Sequence, residues 1–341
     1  MATRPRPVDG APELVELRRF NARDLDAVLA EEGAEWKEKL LWDFSDSANS
    51  VRDFANKHTL DGLAVVQHAL SDPAFLLGRA QPNVVGYGYT VLEDRKGLIG
   101  DAYVGPRAHG DDGGTRQTVR LFKQLLDRLI AQGARRVESQ LMVTEPVVAD
   151  TIQRSRFVQL YERILMVLDT ERPLPASGKF DPASFHIEYW GPHYEDPISG
   201  LIERAYRHHV DARINDQYLS FAGAKKFLHN IVTYPGCGTF SQVGSMVAFE
   251  KSNGWLSGLV LASFVDQHVA HITQLCVAPH LKGSGLGYEL LRRAVGSLRA
   301  AGAERISLSV TASNLDGLRL YERCGFSEVR RFFALVWEPV L

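Results

Sequence analysis

The chain has 341 residues, 45% of them hydrophobic and 23% charged, which is enough to bury two compact cores and unlike the composition of a disordered segment. Its 39 Lys and Arg against 41 Asp and Glu leave a formal net charge of -2, so no broad basic field is available and nucleic acid and anionic membrane are excluded as main partners. Three cysteines, Cys237, Cys276 and Cys324, are odd in number, widely spaced and without a CxxC pair, which predicts buried thiols and neither a disulfide framework nor a metal site.

The N-terminal MATRPRPVDGAPELVEL lacks the apolar core of a signal peptide, and no apolar run approaches the ~20 residues of a membrane span, so the cytoplasm is the expected location. Two stretches repeat between the halves. IAQGARRVES at 130–139 matches RAAGAERISL at 299–308, and Val104-Gly105-Pro106 matches Val277-Ala278-Pro279, as in a tandem duplication. Between the copies lies ERPLPASGKFDPAS, whose three prolines, glycine and two serines mark a linker at 171–184, with domains expected at 1–170 and 185–341.

In the second half, helices are expected around 197–209 and 221–232. AFEK, GLVLASFV and AHITQLCV follow as strands rich in apolar and β-branched residues. Leu286, Leu290, Leu291, Ala294 and Leu298 recur at helical spacing up to the stop signal Gly302. ERISLSV then reads as a strand, Asn314 caps a short helix that Gly325 breaks, and FSEV and FFALVW read as two closing strands. The expected fold class is a mixed α/β (α+β) layer rather than a barrel.

Chemistry concentrates after the strand ending at Val277, where Gly283, Gly285 and Gly287 precede a long helix. Such a turn aims free backbone N–H groups outward, glycine lets backbone approach an anion closely, and Lys282 adds a positive charge. A phosphate nest and a plain flexible turn both satisfy that pattern. The dinucleotide fingerprint GxGxxG fails, because counting from Gly283 places Tyr288 at its third glycine, and GxxxxGK[ST] is absent.

The segment HITQLCVAPHLKGSGLGYELL at 271–291 resembles the acyl-CoA-binding motif of the GNAT N-acetyltransferase superfamily, Arg/Gln-x-x-Gly-x-Gly/Ala, with Lys282 in the turn. Asn314, Gly317, Leu320-Tyr321 and Cys324-Gly325-Phe326 resemble the same family's Asn-x-x-Ala/Gly-x-x-Leu-Tyr-x-x-x-Gly-Phe segment. The likeness covers roughly 185–341 and implies two tandem GNAT-like domains, with acetyl-CoA as co-substrate and a direct transfer to an amine in a ternary complex. It further implies that Lys282, Gly283, Ser284, Gly285, Leu286, Gly287 and Tyr288 cradle the phosphates, with Asn314 also on the cofactor. By the same resemblance, backbone at Leu275, Cys276 and Val277 holds the pantetheine arm and polarises the thioester carbonyl.

Tyr321 matches the family's general acid, a phenol that protonates the departing sulfur, and its alternative reading is an aromatic packed in the core. His271, six residues before Val277, is the first candidate base and Glu250 the second. Family members wall the acceptor pocket with the first helices, here around Tyr206, His208, His209, Asp211, Asn215, Asp216 and Tyr218, although such a run also reads as a solvated helix end. The expected acceptor is a small-molecule or protein amine, and a homodimer is left open.

Aligned with this half, the first copy has PRAHGDDGGTRQ at 106–117 against PHLKGSGL, with Asp111 and Asp112 where phosphates would sit, Ile152 opposite Tyr321, and Leu98 opposite His271. It is therefore expected to be a degenerate domain. The competing reading for the whole chain is a non-catalytic acyl-CoA-binding module, and an oxidoreductase comes third.

Overall fold

The computed structural model describes residues 12–35, 47–67, 83–108, 115–142, 146–156, 158–171, 174–176, 178–234 and 238–339. Asp111, Asp112 and Cys237 lie outside the described residues, as do residues 172, 173 and 177 of the linker. The chain divides into two compact units. One takes the described residues up to Glu35, those of Ala48–Leu160 and those from Phe333 onward, and the other takes Ser47 and the described residues of Tyr161–Phe332.

The first unit runs β1 (Glu13–Glu16), α1 (Ala22–Glu35), α2 (Ser47–Asn56), β2 (Gly62–Val66), β3 (Val84–Glu93), β4 (Lys96–Val104), α3 (Thr115–Ala131), β5 (Arg136–Met142) and α4 (Pro146–Arg156). Its strands pair antiparallel from β1 to β4, and β4 pairs parallel with β5. Val65, Val85 and Ile99 pack with Phe122, Leu125 and Leu129 of α3, while Ala64 and Tyr87 pack with Leu25 and Val28 of α1.

After β6 (Gln159–Asp169) come β7 (Phe185–Tyr189), α5 (Glu195–Tyr206), α6 (Asp211–Ile214), α7 (Phe221–Thr233) and β8 (Thr239–Phe240). The chain continues through β9 (Met246–Glu250), β10 (Leu256–Asp266), β11 (Val269–Val277), α8 (Leu286–Ala300), β12 (Arg305–Thr311), α9 (Leu315–Arg323) and β13 (Ser327–Trp337). The alternation of β10 and β11 separates two cores. Val260, Ala262, Ala270 and Ile272 meet Leu290, Leu291, Ala294 and Leu298 of α8, whereas Leu259, Leu261 and Cys276 meet Ile198, Leu201 and Ile202 of α5 and Leu228 of α7. No helix among the described residues is long and apolar enough to cross a membrane.

Membership of the two units does not follow the linker. β6, which precedes the linker, completes the second unit's sheet by pairing antiparallel with β12 from Arg163↔Thr311 to Asp169↔Arg305. In return, the end of β13 pairs with β5 of the first unit, from Phe333↔Met142 to Trp337↔Val137. Each of these strands covers an edge whose backbone N–H and C=O groups would otherwise lack partners.

FSEV and FFALVW thus correct to one strand, Ser327–Trp337. Arg330 and Arg331 lie between them but form no turn, because Arg331 extends sideways to Glu328 and to Glu162 of β6. The described part of the linker is strapped onto the second unit. Leu174 and Phe180 pack on its core, Phe180 stacks on Phe185 at 5.7 Å, and the Tyr288 hydroxyl donates to the Pro175 carbonyl at 3.0 Å.

Candidate active site

β11 pairs with β12 only at Val269↔Arg305, Ala270↔Ile306 and His271↔Ser307, while on its other side it stays with β10 up to Gly258↔Val277. From Ile272 to Val277 one edge of β11 therefore faces no neighbouring strand. The divergence coincides with a bulge, where Leu261 pairs with Gln274 and Ala262 with Ile272, leaving Thr273 as the extra residue. Open main-chain donors and acceptors along such an edge form a ready ladder for an extended amide-bearing ligand.

At the end of that edge the chain makes a tight turn at Pro279–Leu281 and enters the glycine loop. Gly283 and Gly285 have φ of 81° and 89°, the left-handed region that glycine tolerates. The Leu286 N–H bonds the Ser284 hydroxyl at 3.3 Å and the Ser284 N–H bonds the Leu281 carbonyl at 3.1 Å. The N–H groups of Gly283, Gly285, Gly287 and Tyr288 bond no protein group among the described residues. They stand at the positive end of the α8 dipole with exposed Lys282 beside them, a favourable setting for an anion.

Side chains of the same segment serve the core. Leu286 is fully buried, and the Tyr288 ring is buried under the strap with the Arg323 guanidinium 5.2 Å from its centre, so only its N–H faces the loop. Asn314 caps α9 by accepting the Gly317 N–H at 3.0 Å, which leaves its Nδ2 end for a ligand.

The opposite face of β11 carries an aromatic wall. Tyr206 stacks on Tyr218 with centroids 4.5 Å apart, and Tyr218 meets Phe227 edge-on at 4.9 Å. The Tyr206 hydroxyl donates to the Leu275 carbonyl and that of Tyr218 to the Gln274 Oε1, each at 3.4 Å. Beside this wall, Oδ1 of Asp211 accepts from the Thr311 hydroxyl and from Arg163 Nη1 at 3.3 Å, and Arg163 Nη2 bonds the Ser309 hydroxyl at 3.0 Å. Tyr321 belongs to this neighbourhood. Burial first, and then the Asp211 carboxylate, push its phenol above the ordinary range, with Arg163 acting the other way. The Cys276 thiol is pushed up to about 12 by burial, which makes it a poor nucleophile.

Each of the two candidate bases has partners of its own. His271 is buried where β11 still pairs with β12, its Nδ1 2.8 Å from the Ser307 hydroxyl. Glu250, at the end of β9, accepts from the Ser257 hydroxyl at 2.6 Å, with His280 Nε2 3.1 Å away, and these contacts lower its carboxyl below the usual range. Asn215 is buried and accepts the Gln217 N–H at 3.1 Å as a local cap, and His208 is exposed beyond the end of α5. Among the described residues no group of three or more His, Cys, Asp or Glu side chains is arranged to hold a metal ion.

The Acetyltransferase (GNAT) family profile matches residues 179–326. N-alpha-acetyltransferase MAK3 of Arabidopsis thaliana is 33% identical over 167 residues, which cover 48% of this chain and 77% of that protein. The chain belongs to the GNAT acetyltransferase family. Mycothiol acetyltransferase of Beutenbergia cavernae is 38% identical over 90 residues, a match spanning 24% of this chain and only 30% of that enzyme. Among solved structures, a GCN5-related N-acetyltransferase from Sphaerobacter thermophilus superposes with a TM-score of 0.65 at 16% identity, covering 98% of both chains. A tandem GNAT protein from the clavulanic acid biosynthesis pathway superposes with a TM-score of 0.53 at 14% identity, covering 97% of this chain and 100% of the other. At such identities these two likenesses speak for the fold.

Within this GNAT chain, the first unit repeats the second unit's main device. β4 pairs with β5 only from Lys96↔Arg136 to Leu98↔Glu138 and then runs open, and its bulge leaves Gly100 as the extra residue between Tyr89↔Asp101 and Thr90↔Ile99. Sequence reasoning missed Arg163, Thr311, Thr273 and Gln274. Arg163 precedes the linker and reads as part of the other copy, and Thr273 and Gln274 sit inside an apolar strand pattern with nothing around them to suggest a site.

Proposed function

We propose that the second unit is an acetyl-CoA-dependent N-acetyltransferase that moves the acetyl group to a primary amine by direct attack in a ternary complex. One observation carries the reading: the open edge of β11 leads straight into a loop with four unbonded N–H groups, and Tyr321 lies in the neighbourhood of that strand. The residues suit the co-substrate, since the loop offers donors for its phosphates and the open edge offers a ladder for its amide-bearing arm. When bound, acetyl-CoA supplies an activated thioester carbonyl.

The protein's part follows from its own groups. Backbone donors along 272–277 hold and polarise the carbonyl. Asp211, anchored by Arg163 and Thr311, draws the incoming ammonium toward the aromatic wall. A base, Glu250 or His271 acting through water, takes one ammonium proton, the free amine nitrogen bonds the acetyl carbon, and that nitrogen then gives up a second proton to solvent. As the carbon–sulfur bond breaks, the Tyr321 hydroxyl gives its proton to sulfur and regains one from solvent. A phenol held above its ordinary range stays protonated for that task at neutral pH. The first unit is a non-catalytic copy, supported by Ile152, 2% exposed in the first unit's core, at the position that aligns with Tyr321.

Acetyl-CoA turnover against an amine panel, with free thiol followed optically, tests the reading. Tyr321→Phe is expected to lower kcat by about 10²- to 10⁴-fold with CoA affinity kept. Normal turnover in that variant would remove Tyr321 from the mechanism, and CoA binding without transfer to any amine would make the unit a binding module.

A further inference from the structure

Two consecutive side chains at the β11 bulge keep a buried polar atom that bonds nothing among the described residues, Thr273 Oγ1 and Gln274 Nε2. Both lie in the stretch that has left β12. Gln274 is 4% exposed, and its Oε1 is engaged by the Tyr218 hydroxyl at 3.4 Å. Turning the amide round does not remove the mismatch, because Nε2 would then donate to the Tyr218 oxygen and Oε1 would be left over. A buried amide that is half bonded disfavours the fold unless something completes it, and such groups gather where a ligand supplies the missing partner.

The surroundings narrow that partner. Gln274 alternates with Cys276 on the face of β11 that packs against α5 and α7, the face of the Tyr206–Tyr218 wall. In its observed orientation the unbonded atom is a donor, so the ligand brings an oxygen. A neutral carbonyl satisfies that donor without needing a counter-charge, and the Asp211 carboxylate is already paired with Arg163. An amide is the group whose donor and acceptor match a glutamine side chain end for end.

Resting on the transferase reading above, we propose that Gln274 determines acceptor choice by bonding a neutral amide carbonyl carried by the acceptor amine, so that the substrate is an amino amide rather than a plain alkylamine. Gln274 is a specificity residue in this role and takes no part in the proton transfers. The shared chemistry has two sources, a small amino amide and the free N-terminus of a peptide.

The test measures equilibrium binding of glycinamide, n-propylamine and a short amidated tripeptide to the full chain at saturating CoA, alongside acetyl transfer to each. Glycinamide is expected to bind at least about 100-fold more tightly than n-propylamine. Gln274→Met should reduce that preference to within about threefold, with CoA affinity and n-propylamine binding unchanged. Tyr218→Phe, which frees the amide without removing it, should weaken the preference only in part and so provides a second check if the methionine variant folds poorly. A tripeptide that binds as well as glycinamide identifies a peptide source, and one that binds worse identifies the small amide. Equal binding of glycinamide and n-propylamine by the parent protein, or a preference retained in Gln274→Met, overturns the proposal. Preferential glycinamide binding with no transfer to any amine would instead sink the transferase reading and leave the selection in place.

Discussion

Gly285 occupies a backbone shape and a space that other residues cannot share. Its φ of 89° is left-handed, and a Cβ there would stand 2.8 Å from the Phe180 nitrogen and 3.0 Å from the Lys179 carbonyl carbon, both in the strap. Gly283 has a similar φ of 81°, but a Cβ there would meet nothing within 4 Å. Gly285→Ala is therefore expected to raise the Kd for CoA by about tenfold or more, and Gly283→Ala by clearly less, as read by calorimetry. Equal effects would mean that the strap does not brace the loop. At this scale the left-handed glycine turn and the Asn314 cap were legible because both depend on local spacing. Gln274 was not, because an unbonded amide exists only relative to neighbours that the chain brings in from elsewhere.

Among the elements, α8 couples the core to the loop. Its inward stripe buries Leu290, Leu291, Ala294 and Leu298, so Leu291→Ala is expected to cost about 2–5 kcal/mol in denaturant unfolding. Glu289, in the first turn and 4% exposed, accepts from Arg292 Nε and Nη2 and from Arg293 Nε, each at 2.8 Å. The Arg292 bonds first, then those of Arg293, hold its carboxyl below the ordinary 4.5. A carboxylate lowered on folding adds stability that is fully present above its unfolded value and disappears as pH falls through the folded value. Thermal midpoints should therefore drop below about pH 4.5 and drop less steeply in Glu289→Gln, and parallel profiles would show that Glu289 does not contribute. The helix itself was legible from its apolar period, and its stop at Gly302 from composition. The closing strand was misread as two because charged Arg330 and Arg331 resemble a break until Glu162 and Glu328 are found beside Arg331.

For the whole molecule, the strand pairing decides which pieces can stand alone. Residues 185–341 carry the glycine loop, Tyr321 and Asp211 but lack Tyr161–Asp169, which pairs with β12 along its full length and supplies Arg163 to Asp211. A fragment of 185–341 is expected to unfold without a cooperative transition, and extension to 158–341 should restore one, as followed by thermal circular dichroism. A cooperative 185–341 fragment with an unchanged midpoint would show β6 to be dispensable.

The sequence by itself determined what depends on near neighbours: the α/β alternation, the glycine turn ahead of a helix, the Asn314 cap, and the paired motifs that indicate the GNAT family. The short stretches shared by the two halves were also legible. Only the tertiary structure decided which strand completes which unit, that β11 leaves β12 after His271, and that Arg163, Thr311 and Asp211 meet beside the tyrosine wall. The physical reason is range. Helix periods, caps and turns are settled by groups a few residues apart, whereas a sheet edge takes whichever strand satisfies its backbone, and that partner can come from the other half of the chain.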